Sequence, residues 1–390
     1  MTESVDILCR VVDNYGDIGV VWRLAKALAA LRPSLAIRIV CDHPEVFHQL
    51  WPAIDPDLLV QQLEIFTVIH WDHPWDGFRA DPPRRVIEAF ACGRPPHYES
   101  VLFDPADPVR RQHLVLEYLS AEPYTAEFHL LPSLSPVPQV SKVFFMPGFI
   151  AGTGGLIHDP AFLARRNQAR AVAETRADRL AALGIDLPAD AGAMTWFCLF
   201  SYEHDYTRLL SDLAGWQTAS ADPVLVLVAA GRSALSFRTA WEGAGQSIQA
   251  VFLPFLSQEG WDEVLVSADL GIVRGEESLA RAALAGQPFI WHAYLQDAGY
   301  QRVKVEALID AMAPCFGGPD EAPAFAAWRD LMLAFNERTE DSHSLPAAEN
   351  WACFLAEQEK LRPGFAAFAE KLENLGDCAA NLLSLMDDFG

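Results

Sequence analysis

Two acidic side chains, Asp13 and Asp17, lie in a short turn between an apolar run and an amphipathic stretch. Two carboxylates at a helix start favour the positive end of the helix dipole and would repel a pyrophosphate. They can instead accept protons, or hold a cationic or hydroxylic acceptor. The structural alternative makes Asp17 a helix N-cap and Asp13 a turn residue. We interpret the turn as an active-site loop whose further candidate binding residues are Asn14, Tyr15 and Gly16.

A second constellation lies where a predicted strand over 270–273 meets a helix start. The guanidinium of Arg274, the hydroxyl of Ser278 and the backbone N–H groups of the first helical turn suit a diphosphate. Glu276 and Glu277 do not suit a phosphate, but carboxylates can accept hydrogen bonds from ribose or sugar hydroxyls, or face a cation. In the structural alternative, the glutamates stabilise the helix dipole and Arg274 forms a surface ion pair.

Four side chains upstream of that strand, Phe252, Phe255, Gln258 and Trp261, could hold a nucleotide base. A base would stack on an aromatic ring, and Gln258 would contact the base edge or a phosphate. Core packing explains Phe252 and Phe255 equally well. Tyr202 follows another predicted strand and is either a phosphate donor or a rim residue.

These residues need a scaffold of parallel strands, and the hydrophobic pattern predicts one in each half of the chain. In the first half, a buried strand at 5–12, a helix at 18–31 and a strand at 35–41 form a βαβ unit. The turn with the two aspartates therefore lies at the carboxyl edge of the sheet. Further along, the pattern predicts helices at 82–90 and 108–119 and a strand at 142–146.

The second half repeats the alternation of strands and helices, which indicates a second doubly wound sheet. Its predicted strands are 194–201, 223–229, 250–255, 270–273 and 288–291. We therefore expect an α/β fold with two Rossmann-like domains, at 1–158 and 191–348. A helical connector is expected at 159–190, and C-terminal helices at 349–390 could pack back on the first domain.

The composition limits the class of protein and its partners. The chain has 390 residues, of which 51% are hydrophobic and 21% charged, so it can bury full cores. Its formal net charge of −23 opposes binding to nucleic acid and to anionic membranes. The cysteines are scattered and no apolar run approaches the roughly 20 residues of a membrane helix, so a cytoplasmic protein is expected.

Two kinds of bound group are disfavoured by the motifs. The GxGxxG fingerprint is absent from the first βαβ turn, which disfavours a nicotinamide dehydrogenase. His70 and His73 have the spacing of a metal half-site, but no third ligand is in view and no metal is expected. A lobe with a phosphate-type helix start, an acidic acceptor lobe and a central cleft between them predict a GT-B glycosyltransferase, a class that typically needs no metal.

Several segments carry a resemblance to a specific family. They are DNYGDIGVVWRLAKAL, EYLSAEPY, FFMPGF with TGGL, LPFLSQEGWDEVL and RGEESLARAALAGQPFIWHAY. The chain resembles the protein-arginine rhamnosyltransferases that modify elongation factor P in bacteria. The resemblance implies a GT-B fold, TDP-β-L-rhamnose as donor, an arginine of an elongation factor P loop as acceptor, and support of polyproline translation. It implies no cofactor and no metal.

The resemblance also implies roles for individual residues. It places Tyr202, Gln258, Arg274, Glu277 and Ser278 near the diphosphate or ribose, and Phe255 and Trp261 near thymine. It implies catalytic roles for Asp13, Asp17 and Glu276. The family often has Asp where this chain has Glu277, so the resemblance does not define the distance of that contact.

Two other classes of function remain open at this point. One is a GT-B glycosyltransferase or an epimerase acting on another nucleotide sugar. The other is a non-catalytic protein that binds the elongation factor, for which the acidic charge alone would suffice. An epimerase needs no acceptor protein, and a binding protein predicts no turnover.

Overall fold

The computed structural model describes residues 3–12, 15–172, 175–295, 299–337 and 349–389. Contacts divide the chain into two units, Met1–Asp159 with Glu373–Gly390, and Pro160–Leu372. Each unit contains one sheet with helices packed against it.

The first unit starts with the predicted βαβ segment, in which β1 (Ser4–Cys9), α1 (Gly16–Leu31) and β2 (Ala36–Cys41) follow one another. The apolar run of β1 is buried on both faces, as expected for a central parallel strand. The chain then forms α2 (Pro44–Leu50), β3 (Val60–Leu63), β4 (Phe66–His70), α3 (Gly77–Ala80), β5 (Arg85–Ala89), α4 (Pro96–Leu102), β6 (Arg111–Leu116), α5 (Tyr124–Phe128), β7 (Pro132–Ser133) and β8 (Val140–Phe145).

The strand order of this sheet, within the described residues, is β3-β4-β2-β1-β5-β6-β8-β7. The edge strands β3 and β7 pair antiparallel, and the strands between them are parallel. A last helix, α15 (Cys378–Asp388), returns from the end of the chain and packs on α1. Arg32, the C-cap residue of α1, forms an ion pair with Asp387 of α15 at 2.6 Å.

The predictions of helices at 82–90 and 108–119 are wrong, because these segments contain the parallel strands β5 and β6. Glu88, Arg111 and His113 of these strands are buried and paired instead of facing water. Glu88 accepts a hydrogen bond from Nε2 of His113 at 2.7 Å and forms an ion pair with Arg94. Burial alone would raise the pKa of Glu88, but these two partners lower it to about 2. Burial lowers the pKa of His113, so Arg94 supplies the positive charge.

The second unit begins with α6 (Pro160–Ala171) and α7 (Arg176–Ala181) and then builds a sheet. The following elements are β9 (Thr195–Leu199), α8 (Thr207–Ser220), β10 (Val224–Val228), α9 (Arg232–Gly243), β11 (Gln249–Phe252), α10 (Gln258–Ser267), β12 (Leu270–Arg274), α11 (Gly275–Ala285) and β13 (Phe289–His292). Its strands are parallel, in the order β11-β10-β9-β12-β13. The helices α12 (Tyr300–Met312), α13 (Glu321–Phe335) and α14 (Trp351–Asn374) follow.

Two features fix β12 and α11, which carry the second candidate constellation. A Cβ atom at Gly271 would lie 2.3 Å from the carbonyl oxygen of Cys198, so the glycine allows β12 to approach β9. At the other end of α11, Arg166 and Arg170 of α6 donate to the carbonyl oxygens of Leu284 and Ala285. These bonds satisfy the C-terminus of the helix and join the segment 159–190 to the second unit.

Candidate active site

In both sheets, successive strands are added first on one side of a central strand and then on the other. The first sheet adds β2 on one side of β1 and β5 on the other, and the second adds β10 and β12 on either side of β9. The loops that leave the carboxyl ends of such strands diverge and form a crevice, where open α/β sheets bind their ligands. The aspartate turn leaves β1, and the arginine turn leaves β12. Both candidate constellations therefore lie at such switch points.

Asp17 is only 3% exposed and lies in the first turn of α1. Its Oδ2 accepts a hydrogen bond from the backbone N–H of Val12 at 2.7 Å, and its Oδ1 lies 3.4 Å from the hydroxyl of Tyr118. The N-cap of α1 is Tyr15, so Asp17 is not the capping residue. The helix dipole stabilises negative charge at this position. Asp17 is thus an oriented carboxylate that suits a cation or a transferred proton.

Of the other residues predicted in this turn, the structure describes Tyr15 and Gly16. The hydroxyl of Tyr15 donates to Oε1 of Gln49, which ties the start of α1 to α2. Gly16 is exposed at the first position of the helix. Asp13 and Asn14 lie outside the described residues.

An aromatic pair beside Asp17 was missed from the sequence. Phe90 and Tyr118 follow the adjacent strands β5 and β6, and their rings stack with centroids 4.4 Å apart and planes 15° apart. Tyr118 is 38% exposed. Tyr118 lies in the segment EYLSAEPY. Because the sequence predicts a helix there, it does not indicate that Tyr118 comes just after the carboxyl end of a strand.

Arg274 ends β12 and is the N-cap residue of α11. Its guanidinium carbon lies 4.7 Å from the ring centroid of Phe200 and 4.7 Å from that of Tyr202. Among the described residues it forms no ion pair, and its buried Nε has no hydrogen-bond partner. The surface ion pair considered from the sequence is therefore not found there. Gly275, with φ of +67°, turns the backbone into the helix.

Glu276, Glu277 and Ser278 continue from Arg274 into the first turn and a half of α11. The two glutamates are half-buried, and Ser278 is buried. Oε1 of Glu277 lies 3.4 Å from Nε of Arg281, whose side chain is almost fully buried. Glu277 therefore neutralises an internal charge in addition to lying at the candidate site. The helix start adds backbone N–H groups and the positive end of the dipole.

The side of the site beneath Arg274 is aromatic and neutral. Tyr202 is buried, and its ring packs on His292 at 5.2 Å. Burial, with lesser contributions from His204 and Arg274, lowers the pKa of His292 to about 3. Nδ1 of this imidazole lies 2.7 Å from the hydroxyl oxygen of Ser201. His292 therefore adds no positive charge beside Arg274.

Trp261, Gln258 and Phe255 surround the start of α10. The Trp261 ring centroid lies 5.1 Å from that of Phe200, a residue that the sequence does not predict at the site, and the buried indole N–H finds no acceptor in the described part of the chain. Gln258 is the first residue of α10, after the N-cap Ser257. Phe255 is 49% exposed, which leaves ring surface for a base.

Phe252 differs from these three residues because its ring is occupied by neighbours from α9. Its centroid lies 6.2 Å from that of Phe237 and 5.7 Å from that of Trp241. The guanidinium of Arg238 covers it at 3.7 Å. These contacts favour the packing alternative for Phe252.

Two further properties concern the described residues only. They contain no group of three or more His, Cys, Asp or Glu side chains that could hold a metal ion. They also contain no helix whose length and apolar character would let it cross a bilayer.

Two α/β units with candidate sites at their switch points are typical of a GT-B glycosyltransferase fold, and the solved structures of this fold that the chain resembles confirm the predicted fold class. A solved glycotransferase of kitacinnamycin, 10% identical, aligns over 99% of this chain and 98% of its own with a TM-score of 0.53. A glycosyltransferase from Rickettsia africae, 11% identical, aligns over 100% and 98% with a TM-score of 0.50. These two likenesses concern the fold alone.

The chain belongs to the family described as elongation factor P (EF-P) rhamnosyltransferase EarP, whose model matches residues 5–387. It is 37% identical to the protein-arginine rhamnosyltransferase of Pseudomonas putida, over 86% of this chain and 88% of that protein. It is 36% identical to that of Pseudomonas aeruginosa, over 93% and 97%. A structure solved for EarP-mediated arginine glycosylation of translation elongation factor EF-P is 26% identical, with a TM-score of 0.61 over 99% of both chains. The family resemblance seen in the sequence motifs is confirmed.

Proposed function

We propose that this protein transfers L-rhamnose from TDP-β-L-rhamnose to an arginine side chain of elongation factor P, with inversion and without a metal. Its relatives are protein-arginine rhamnosyltransferases, which supports the reaction class. The observation that carries the proposal is the placement of Arg274. Two aromatic rings hold this cation at a helix start, and it forms no ion pair with a carboxylate of the described residues, so its charge is kept for an anionic ligand.

In the proposed reaction the second unit binds the donor. Arg274, Ser278, Tyr202 and the N-terminus of α11 contact the diphosphate and stabilise the charge that develops as it leaves. Gln258, Phe255 and Trp261 contact thymine and ribose. Glu276 accepts a hydrogen bond from a sugar hydroxyl, and Glu277 one from the ribose.

The first unit binds the acceptor. The pKa of a free guanidinium lies above about 12, so a carboxylate cannot remove its proton in advance. Asp17, together with Asp13, orients and desolvates the guanidinium. As an arginine nitrogen bonds to C1 of rhamnose, the bond from C1 to the diphosphate oxygen breaks and Asp17 takes the proton from that nitrogen. A single displacement turns the β donor into an α-linked product, and the modified factor supports translation of polyproline stretches.

The experiment that tests this proposal is intact-mass analysis of elongation factor P incubated with the protein and TDP-rhamnose. The expected result is a gain of one deoxyhexose, mapped by fragmentation to one loop arginine. The gain should be unchanged when metal is omitted and chelator is added. No gain, with folded acceptor and intact donor, would contradict the donor and acceptor pair. A gain abolished by chelator would contradict metal independence.

A further inference from the structure

The stacked rings of Phe90 and Tyr118 lie where an arginine side chain would be bound if the proposed function holds. Tyr118 is exposed for over a third of its surface, and its hydroxyl is 3.4 Å from Oδ1 of Asp17. An aromatic face and a carboxylate are therefore adjacent at the carboxyl edge of the first sheet. This is the pair of groups that a planar cation requires, one for its face and one for its N–H edge.

The backbone at this ring pair is unusual. Phe90 and Ala91 have φ angles of +57° and +48°, a backbone region that residues other than glycine seldom adopt. The backbone N–H of Phe90 is nevertheless bonded to the carbonyl oxygen of Leu116 on β6 at 2.6 Å. The strained turn thus holds the Phe90 ring against Tyr118, and strain of this kind concentrates at functional sites.

We infer that Phe90 and Tyr118 form a stacking platform that selects a guanidinium as acceptor and positions it against Asp17. This inference rests on the proposed function and deepens it. A guanidinium is planar and weakly hydrated, so it stacks on aromatic faces, whereas an ammonium is compact and strongly hydrated. The platform therefore favours arginine over lysine, although Asp17 alone would accept either cation.

The test compares Tyr118→Leu, which removes the ring, with Tyr118→Phe, which removes only the hydroxyl. Initial rates of transfer to elongation factor P at saturating donor give kcat and the acceptor KM. Tyr118→Leu should raise the acceptor KM about 3- to 30-fold, the range expected for a lost cation–π contact, with a smaller change in kcat. Tyr118→Phe should recover most of this loss.

Tyr124→Leu is the matched control, because Tyr124 is also a half-exposed tyrosine of an aromatic pair in the first unit. Its ring meets that of Phe128 edge-on at 6.2 Å, unlike the stacked rings of Phe90 and Tyr118. Because the Tyr124 pair lacks this stacked geometry, Tyr124→Leu should leave the acceptor KM unchanged. TDP affinity and the melting temperature of each variant report on folding. If Tyr118→Leu does not fold, Phe90→Leu replaces it with the same expected rise in KM.

A second readout needs no chemistry. Equilibrium binding is measured for elongation factor P with its acceptor arginine and for a variant with lysine at that position. The wild-type protein should prefer the arginine form, and Tyr118→Leu should lose that preference. An unchanged KM or a preference that survives Tyr118→Leu would overturn the platform alone. Absence of any transfer by the wild-type protein would overturn the proposed function, and the platform with it.

Discussion

The two sheets place their candidate chemistry at the same topological position but fill it with opposite charges. Beside β1, the buried carboxylate of Asp17 is held by the N–H of Val12 and faces Tyr118. Beside β9, the guanidinium of Arg274 is held between the rings of Phe200 and Tyr202. The fold supplies a crevice in each case, and the side chains decide which charge binds there.

The two charges also differ in how they are held. Asp17 is oriented by hydrogen bonds and stabilised by a helix dipole, whereas Arg274 is held by aromatic rings at a position where the dipole opposes its charge. A cation in that position, without a described counter-ion, attracts an anion. This difference supports the proposal of proton transfer in the first unit and anion binding in the second, and substitutions can separate these proposed roles.

The largest expected effect is that of Asp17→Asn on transfer. Asn can still accept the N–H of Val12, but it cannot take a proton, so turnover should fall about 10²- to 10⁴-fold. TDP affinity should not change. Intact-mass kinetics and calorimetric titration with TDP measure the two quantities.

Asp42→Asn is the matched control for that substitution. Asp42 accepts the backbone N–H of Val11 at 2.9 Å, as Asp17 accepts that of Val12. The control should keep most of the turnover. Equal losses in the two variants would show that ordering of the turn, and not proton transfer, explains the effect of Asp17.

The second effect in size is that of Arg274→Ala on TDP binding. Hydrogen bonds to a charged group contribute about 1.5–3 kcal/mol, so Kd for TDP should rise about 10- to 100-fold. Arg238→Ala is the control, since Arg238 also covers an aromatic ring in the second unit but is exposed on α9. An Arg274→Ala variant with unchanged Kd would remove the basis for the anion site.

A smaller effect concerns the neutrality of His292. Its folded pKa of about 3 lies below the usual value near 6.5, so below pH 6.5 the unfolded chain binds a proton that the folded chain does not. Stability is therefore full above pH 6.5 and falls on acidification, by about 1 kcal/mol between pH 6.5 and 5.5. Denaturant unfolding should show this fall in the wild type and a smaller one in His292→Asn. Equal falls would mean that His292 is already protonated when folded, so that a second cation would lie beside Arg274.

The sequence predicts the scaffold well where apolar periodicity is undisturbed. The turn between β1 and α1 follows directly from a buried run and an amphipathic helix. The prediction from the sequence fails at β5 and β6. Charged residues in a strand are expected to face solvent until their partners are known. Glu88 and His113 are 25 residues apart and become a pair only in the sheet.

The site shows the same limit. The sequence offers Asp17, Arg274 and Ser278 as candidates because each lies within a local strand-to-helix pattern. It does not offer Phe90 and Phe200, since their contacts with Tyr118 and Arg274 join residues distant in sequence. Phe252 was included on local grounds alone, and three-dimensional packing gives it other neighbours.

The smallest predicted effect separates Phe255 from Phe252 within the second unit. Phe255→Leu should weaken TDP binding about 2- to 5-fold, since a stacked ring contributes roughly 0.5–1 kcal/mol, and should leave stability unchanged because the side chain is half exposed. Phe252→Leu should do the reverse, because its ring packs on Phe237 and Trp241. Titration with TDP measures Kd for both variants, and denaturant unfolding measures their stability. If Phe252→Leu weakened TDP binding more than Phe255→Leu did, the base would lie against α9, and the nucleotide site would extend from β12 across to β11.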